Sequence, residues 1–202
     1  EVDKAKTEFV SLASHQLRTP LSVISWYVEM LLGGDAGNLN EKQKKYLDEV
    51  YSGNQRMITL VNALLNISRL ELGTFVIDLE LVDVIELSKK IVVEQKRQMD
   101  EKGIQFSFSS EHTIPKIQAD PKLLYMIIEN LLSNAVKYTP KGGKVEFSLS
   151  EDARKEGILI RISDTGYGIP KHQQDKVFTK FFRADNAREK DTTGTGLGLY
   201  IL

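Results

Sequence analysis

Apolar residues recur at spacings of three and four from Glu1 to about Leu32, which predicts one long amphipathic helix. At about 100° per residue, Phe9, Ala13, Leu17, Leu21, Ile24, Val28 and Leu31 share one side. Lys4, Glu8, Ser11, Arg18, Ser22 and Glu29 share the other side with His15. The breakers from Gly33 to Asn38 predict a turn. Asn40, with Gln43 three residues on, predicts the capping box of a second helix running to about Leu72. Along that helix Leu47, Val50, Asn54, Met57, Val61, Leu64 and Ser68 form a bundle seam with a polar residue, Asn54, inside it. A two-helix hairpin cannot bury both apolar stripes alone. A homodimeric four-helix bundle is the expected solution, and a monomeric hairpin packed on the rest of the chain is the alternative.

After Gly73 the pattern changes. Phe75 to Leu81 reads as a strand, Val84 to Lys102 as a helix stopped by Gly103, Ile104 to Ser109 as a strand and Lys116 to Ala119 as a short one. Asp120 and Pro121 open a helix in the favoured manner, with aspartate as cap and proline in the first turn, and it runs to about Tyr138. Strands at Lys144 to Ser150 and Gly157 to Ser163 flank a turn at 151–156. The expected fold is α+β: an antiparallel helical hairpin forming a dimeric four-helix bundle over 1–72, then an α/β sandwich over 73–202 with helices on one face of a mixed sheet.

Composition narrows the function classes. With 41% hydrophobic and 27% charged residues the chain reads as globular protein, and a net charge of −1 without a basic stripe argues against nucleic acid as partner. The absence of cysteine excludes disulfides and cysteine-ligated metal and agrees with a cytoplasmic setting. No apolar run approaches the ~20 residues that cross a bilayer, so this segment is expected to make no membrane contact. It starts and stops inside helical patterns, as the cytosolic portion of a membrane-bound receptor would.

Candidate chemistry begins at His15. An imidazole on the polar side of an amphipathic helix is a nucleophile near neutral pH, because its ordinary pKa of about 6.5 leaves one nitrogen free. A solvated surface histidine is the plain alternative. Pro20 removes one backbone donor and bends a helix just past it. Asn130 and Asn134 stand four apart on one face of an otherwise apolar helix; buried amides cost free energy unless bonded, and their oxygens suit Mg²⁺. Two core amides satisfying loop backbone is the other reading. Asp164, Gly166 and Gly168 follow a strand, where an aspartate buried without a role would be costly, and a strand-ending turn is the alternative. The glycine run Thr193 to Leu199 opens a final helix, and backbone donors at such a start form an anion site. Between them the polar stretch Ala184 to Thr193 reads as a mobile lid, packed by Phe178, Phe181 and Phe182, with Lys180 and Arg183 beside it.

Five segments in order then carry a resemblance. Ser14-His15-Gln16-Leu17-Arg18-Thr19-Pro20-Leu21 resembles the phospho-acceptor box of the sensor histidine kinases. Glu129 to Pro140 resembles their asparagine box, Ile162 to Pro170 and Thr193 to Leu199 their two glycine boxes, and Val177 to Arg183 their phenylalanine box. The resemblance implies ATP-dependent autophosphorylation of His15, followed by transfer to an aspartate on a response regulator receiver domain. It implies that Asn130 and Asn134 serve the Mg²⁺ of bound ATP, Lys137 a phosphate, Tyr138 the base or ribose side, and Asp164 the adenine amine. Gly166, Gly168, Gly194, Thr195, Gly196, Leu197 and Gly198 would line the nucleotide, and Arg183 would steady the transferring phosphoryl group.

The chain departs from that pattern at Gln16, where many relatives carry an acid that can act as general base. Thr19 resembles the residue that positions water for regulator dephosphorylation, so phosphatase activity is a further expectation. Relatives extend the final helix and complete the sheet beyond the point where this chain stops, so the C-terminal part of the ATP-binding domain is expected to be missing. The same resemblance places a glutamate of water-activating ATPases at Asn130, which opposes hydrolysis, and leaves Glu129, about 100° round the helix, a surface role. A non-catalytic dimeric nucleotide-binding scaffold is the alternative function.

Overall fold

The computed structural model describes residues 2–71, 73, 77–111, 114–152, 157–190 and 194–201, with backbone alone at 2–11, 15 and 70. The chain divides into two compact units, residues 1–76 and 77–200.

The first unit is a helical hairpin. Helix α1 (Val2–Gly33) continues across Pro20, and α2 (Glu41–Glu71) returns beside it. The turn closes by paired bonds, Gly34 N to Leu31 O at 3.2 Å and Asp35 N to Met30 O at 3.1 Å, with Gly34 at φ +93°. That is a Schellman ending, in which a residue without a Cβ takes the left-handed conformation. The capping box forms reciprocally: Asn40 N donates to Gln43 Oε1 and Gln43 N donates to Asn40 Oδ1, each at 2.9 Å.

Between the helices Leu21, Val28, Val61, Leu65 and Ile67 are buried together with the polar Ser14, Asn54 and Ser68. Asn54 Nδ2 donates to Leu21 O at 2.7 Å and to Ser25 Oγ at 2.8 Å, so the amide inside the seam is bonded to the facing helix. Arg18 donates to Asn62 Oδ1 at 2.6 Å and the Tyr51 hydroxyl to Glu29 at 2.8 Å. The apolar stripes are only partly covered. Leu17 and Ile24 on α1 and Val50, Met57 and Leu60 on α2 remain exposed, because two helices meet along a strip narrower than the apolar face of either.

In the second unit a mixed sheet carries two helices. Strand β2 (Gln105–Ser110) runs parallel to β4 (Lys144–Asp152), and β4 pairs antiparallel with β5 (Gly157–Asp164). Helices α3 (Val84–Lys102) and α4 (Pro121–Tyr138) contribute Val84, Ile91, Met99, Ile128, Leu132 and Val136 to a core closed by Val145, Phe147 and Leu149 of β4. Alternate β4 residues face that core, as a half-covered strand requires.

The sheet departs from expectation in two places. It is split, with β1 (Glu80–Val82) and β3 (Ile117–Ala119) forming a separate antiparallel pair. The predicted strand from Phe75 shortens to Glu80–Val82, because β3 offers partners to those three residues alone; Phe75 and Val76 lie outside the described residues. Glu151 and Asp152, expected in a turn, extend β4 by pairing with Ile158 and Gly157, and 153–156 lie outside the described residues.

Candidate functional site

Helix α4 is the platform of the site. Asp120 caps it: its Oδ1 accepts from Lys122 N at 2.9 Å and Leu123 N at 3.1 Å, and its Oδ2 from Asp78 N at 3.0 Å. These backbone donors hold the carboxyl below its ordinary value of 3.8. The buried side of α4, Ile128, Leu132, Ala135 and Val136, fixes its rotation on the sheet and leaves Asn130 and Asn134 half-buried together.

The two glycine-bearing segments converge on this helix. A Cβ added at Gly198 would lie 2.9 Å from Asn130 Oδ1 and 3.9 Å from Asn134 Nδ2, so the second glycine run reaches the asparagine face because residue 198 has no side chain. The first glycine loop meets the end of α4. Asp164 Oδ1 accepts from Gly166 N at 2.8 Å, Tyr167 N donates to Tyr138 O at 3.2 Å, and a Cβ at Gly166 would meet that same carbonyl at 2.7 Å. Thr165 closes the base of the loop, its N donating to Lys144 O at 3.0 Å and its Oγ1 accepting from Lys144 N at 2.9 Å. Gly168 follows at φ +64°. The Lys137 ammonium sits 5.6 Å from the Tyr138 ring centroid.

The segment between the glycine runs is fastened to the first of them. Asn186, in α5 (Asp185–Lys190), donates to Tyr167 O at 3.2 Å and Gly168 O at 2.9 Å. Lys190 lies 5.5 Å from the Tyr167 ring centroid, and Gln173 exchanges bonds with Asp185 at 2.6 and 3.2 Å. Arg183 donates to Ala187 O at 3.2 Å and lies beside Gly194. Neither Asn186 nor Gln173 carries a sequence signal, since both act through side-chain bonds to residues twelve or more positions away.

Several expectations change. Asp164 is exposed, because β5 ends at the rim of the sheet, so its carboxylate faces no burial cost. Phe178 and Phe181 do not pack the lid: they are 63% and 57% exposed, and Ala184 and Leu197 take the buried positions there. No helix starts within 194–201. Gly196 takes φ +69°, only a turn follows at 198–200, and the fully buried Leu197 donates its N–H to Thr195 Oγ1 at 3.3 Å. The part of the lid at 191–193 lies outside the described residues. Glu129 is half-buried instead of on the surface, and burial raises its pKa against the opposing hydrogen bond of Ser133.

His15, Gln16 and Thr19 belong to the other unit, on α1. Gln16 and Thr19 are exposed, and the side chain of His15 lies outside the described residues. Among the described residues no group of three acidic, histidine or cysteine side chains is arranged to hold a metal. The donors beside Gly198 are two neutral amides, a set that suits Mg²⁺ arriving with phosphate oxygens better than a free ion.

Comparison with known proteins gives matches in both units. Residues 5–73 match the family described as His Kinase A (phospho-acceptor) domain, and residues 119–202 the family described as Histidine kinase-, DNA gyrase B-, and HSP90-like ATPase. The chain is 32% identical over 201 residues to sensor histidine kinase WalK of Bacillus subtilis (strain 168), an alignment covering 100% of this chain and 33% of that protein. It thus spans about a third of the length of that relative. Among solved structures it is similar to full-length ShkA in complex with AMPPNP, with a TM-score of 0.75 and 27% identity over 96% of this chain and 39% of that one. The histidine kinase ThkA, solved in complex with response regulator protein TrrA, shares the fold with a TM-score of 0.59 and 22% identity over 87% of this chain and 50% of that one.

Proposed function

The chain belongs to the sensor histidine kinases, and on that premise we propose that residues 1–72 form its dimerisation and phospho-acceptor domain and 73–202 part of its ATP-binding domain, the reaction being phosphorylation of His15 by ATP. An imidazole nitrogen of His15 attacks the γ-phosphorus, the P–N bond forms as the bond to the β-phosphate oxygen breaks, and ADP leaves. The opposite ring nitrogen loses its proton. Gln16 accepts a hydrogen bond there but takes up no proton, so the proton passes to water.

Asn130 and Asn134 hold the metal-bound phosphates, Lys137 and Arg183 balance phosphate charge, Tyr138 borders the base or ribose, and Asp164 accepts the adenine amine. Gly166, Gly168, Gly194, Thr195, Gly196 and Gly198 let backbone approach the nucleotide; Leu197 supports the run from the core. Mg²⁺ bound with ATP neutralises charge building on the β- and γ-phosphates. The observation that carries this reading is the convergence of Gly198 on Asn130 and Asn134 and of the Asp164 loop on Tyr138. It gathers two separated sequence segments at one helix.

The exposed apolar residues of the hairpin support a homodimer; phosphohistidine passes its phosphoryl group to an aspartate of a response regulator receiver domain, the P–N bond breaking as the P–O bond forms, and Thr19 positions water for the separate hydrolysis of that aspartyl phosphate to inorganic phosphate, a phosphatase activity. Among the described residues no helix is long and apolar enough to cross a membrane; a reaction that draws on ATP supports a cytosolic setting for this segment.

Incubation with γ-labelled ATP tests the reading. We expect acid-labile, alkali-stable label that disappears in His15→Ala. Nucleotide binding without label would favour a non-catalytic scaffold, and phosphate release without label a hydrolysing ATPase.

A further inference from the structure

The end of α4 is satisfied in an unusual way. A helix leaves four carbonyls without intrahelical donors at its C-terminus. In α4 the last helical bond is Thr139 N to Ala135 O at 3.1 Å, reinforced by Thr139 Oγ1 to the same oxygen at 2.6 Å. Beyond it, Lys102 Nζ donates to Val136 O at 2.8 Å, Lys137 O at 2.6 Å and Thr139 O at 3.1 Å. Tyr167 N takes Tyr138 O, the carbonyl between them. An ammonium has three donors and no acceptor, and all three are used here. Its charge also meets the negative end of the helix dipole.

The backbone of Lys102 joins in. Its carbonyl accepts from Gly142 N at 2.9 Å, which ties the turn after α4 to the last turn of α3. Lys102 is half-buried, and burial together with the like charge of Lys137 lowers its pKa from 10.5. The three carbonyls hold the ammonium at this position against the cost of burial and the like charge of Lys137.

We infer that Lys102 is a positioning residue of the nucleotide site: it locks the last turn of α4, so that Tyr138 O stays in register for the Tyr167 amide and the Asp164 loop stays seated. The inference rests on the reading of that site as an ATP site. Without the ammonium, three carbonyls must find water, the turn opens, and Tyr138 O no longer anchors the loop that carries Asp164. Nucleotide binding suffers while phosphoryl transfer from nucleotide already bound does not.

Two measurements on the 202-residue chain decide the matter: hydrogen exchange at the Tyr167 amide against the Phe147 amide of β4, and calorimetric titration with Mg-AMPPNP. Lys102→Met is expected to speed exchange at Tyr167 about tenfold with Phe147 unchanged, and to weaken Mg-AMPPNP about tenfold, one charge-assisted hydrogen bond's worth. In autophosphorylation KM for ATP rises with kcat within about twofold. Lys102→Arg, which keeps charge and donors, restores most of the loss. Unchanged exchange at Tyr167 overturns the proposal, as does equal acceleration at Phe147, which would make Lys102 a general stability residue. Should Lys102→Met fail to fold, Lys102→Gln, with two donors, carries the same comparison. Wild-type protein that does not bind Mg-AMPPNP refutes the ATP reading, while exchange at Tyr167 still decides whether Lys102 clamps α4.

Discussion

Gln16 sits exposed on α1 next to His15, and its amide accepts a hydrogen bond without accepting a proton. The proposed reaction therefore runs without a carboxylate base at the nucleophile. Gln16→Glu is expected to raise the single-turnover rate of autophosphorylation by about a hundredfold at neutral pH, the low end of general-base contributions. Equal rates in rapid-quench measurements would show that proton removal does not limit the step. The residue scale is also where the sequence misled most. Asp164 and the pair Phe178 and Phe181 carry the right residue types for their motifs, yet their burial is the reverse of expectation, because burial depends on which neighbours arrive.

Among the elements, those with chemical punctuation formed as their local sequence predicts. The Asn40 and Gln43 box, the left-handed Gly103 ending α3 at φ 61°, and the Asp120 and Pro121 start of α4 each satisfy helix-end groups with residues a few positions away. Asp120 reaches further, since it also holds Asp78 N, and that ties its ionisation to the stability of the second unit. Its folded pKa lies below its unfolded one, so its contribution is complete above the ordinary value of 3.8 and is lost as pH falls through the depressed folded value. Asp120→Asn keeps a capping oxygen without the titration. Thermal unfolding followed from about pH 5 down to pH 2 is expected to show a shallower fall for Asp120→Asn than for wild type. Parallel curves would remove Asp120 from the acid response. Elements lacking such punctuation went less well: of the described residues 77–82, only Glu80–Val82 are strand, as far as β3 pairs with them, and the helix expected after Thr193 is a turn.

At the scale of the molecule, the hairpin leaves Val50 and Met57 each 50% exposed, in line with Leu17 and Ile24 on the facing helix. Apolar residues repeated along one face require cover, and a second copy offers a self-complementary one. Val50→Lys with Met57→Lys is expected to convert a dimer to a monomer in sedimentation equilibrium while helical circular dichroism persists; a dimer that survives would place the interface elsewhere. Periodicity, caps and breakers lie within a turn or two of the residues they govern, so the sequence alone determined the four long helices, most strands, the two-part organisation and the order of the five motifs. It also carried the likeness to the histidine kinases. Only the tertiary structure decided that Gly198 lies against Asn130, that the Asp164 loop hangs on Tyr138 O, and that Lys102 closes the end of α4. Those contacts join residues far apart along the chain, and whether they form depends on how α3, α4 and the sheet pack, which no local pattern encodes.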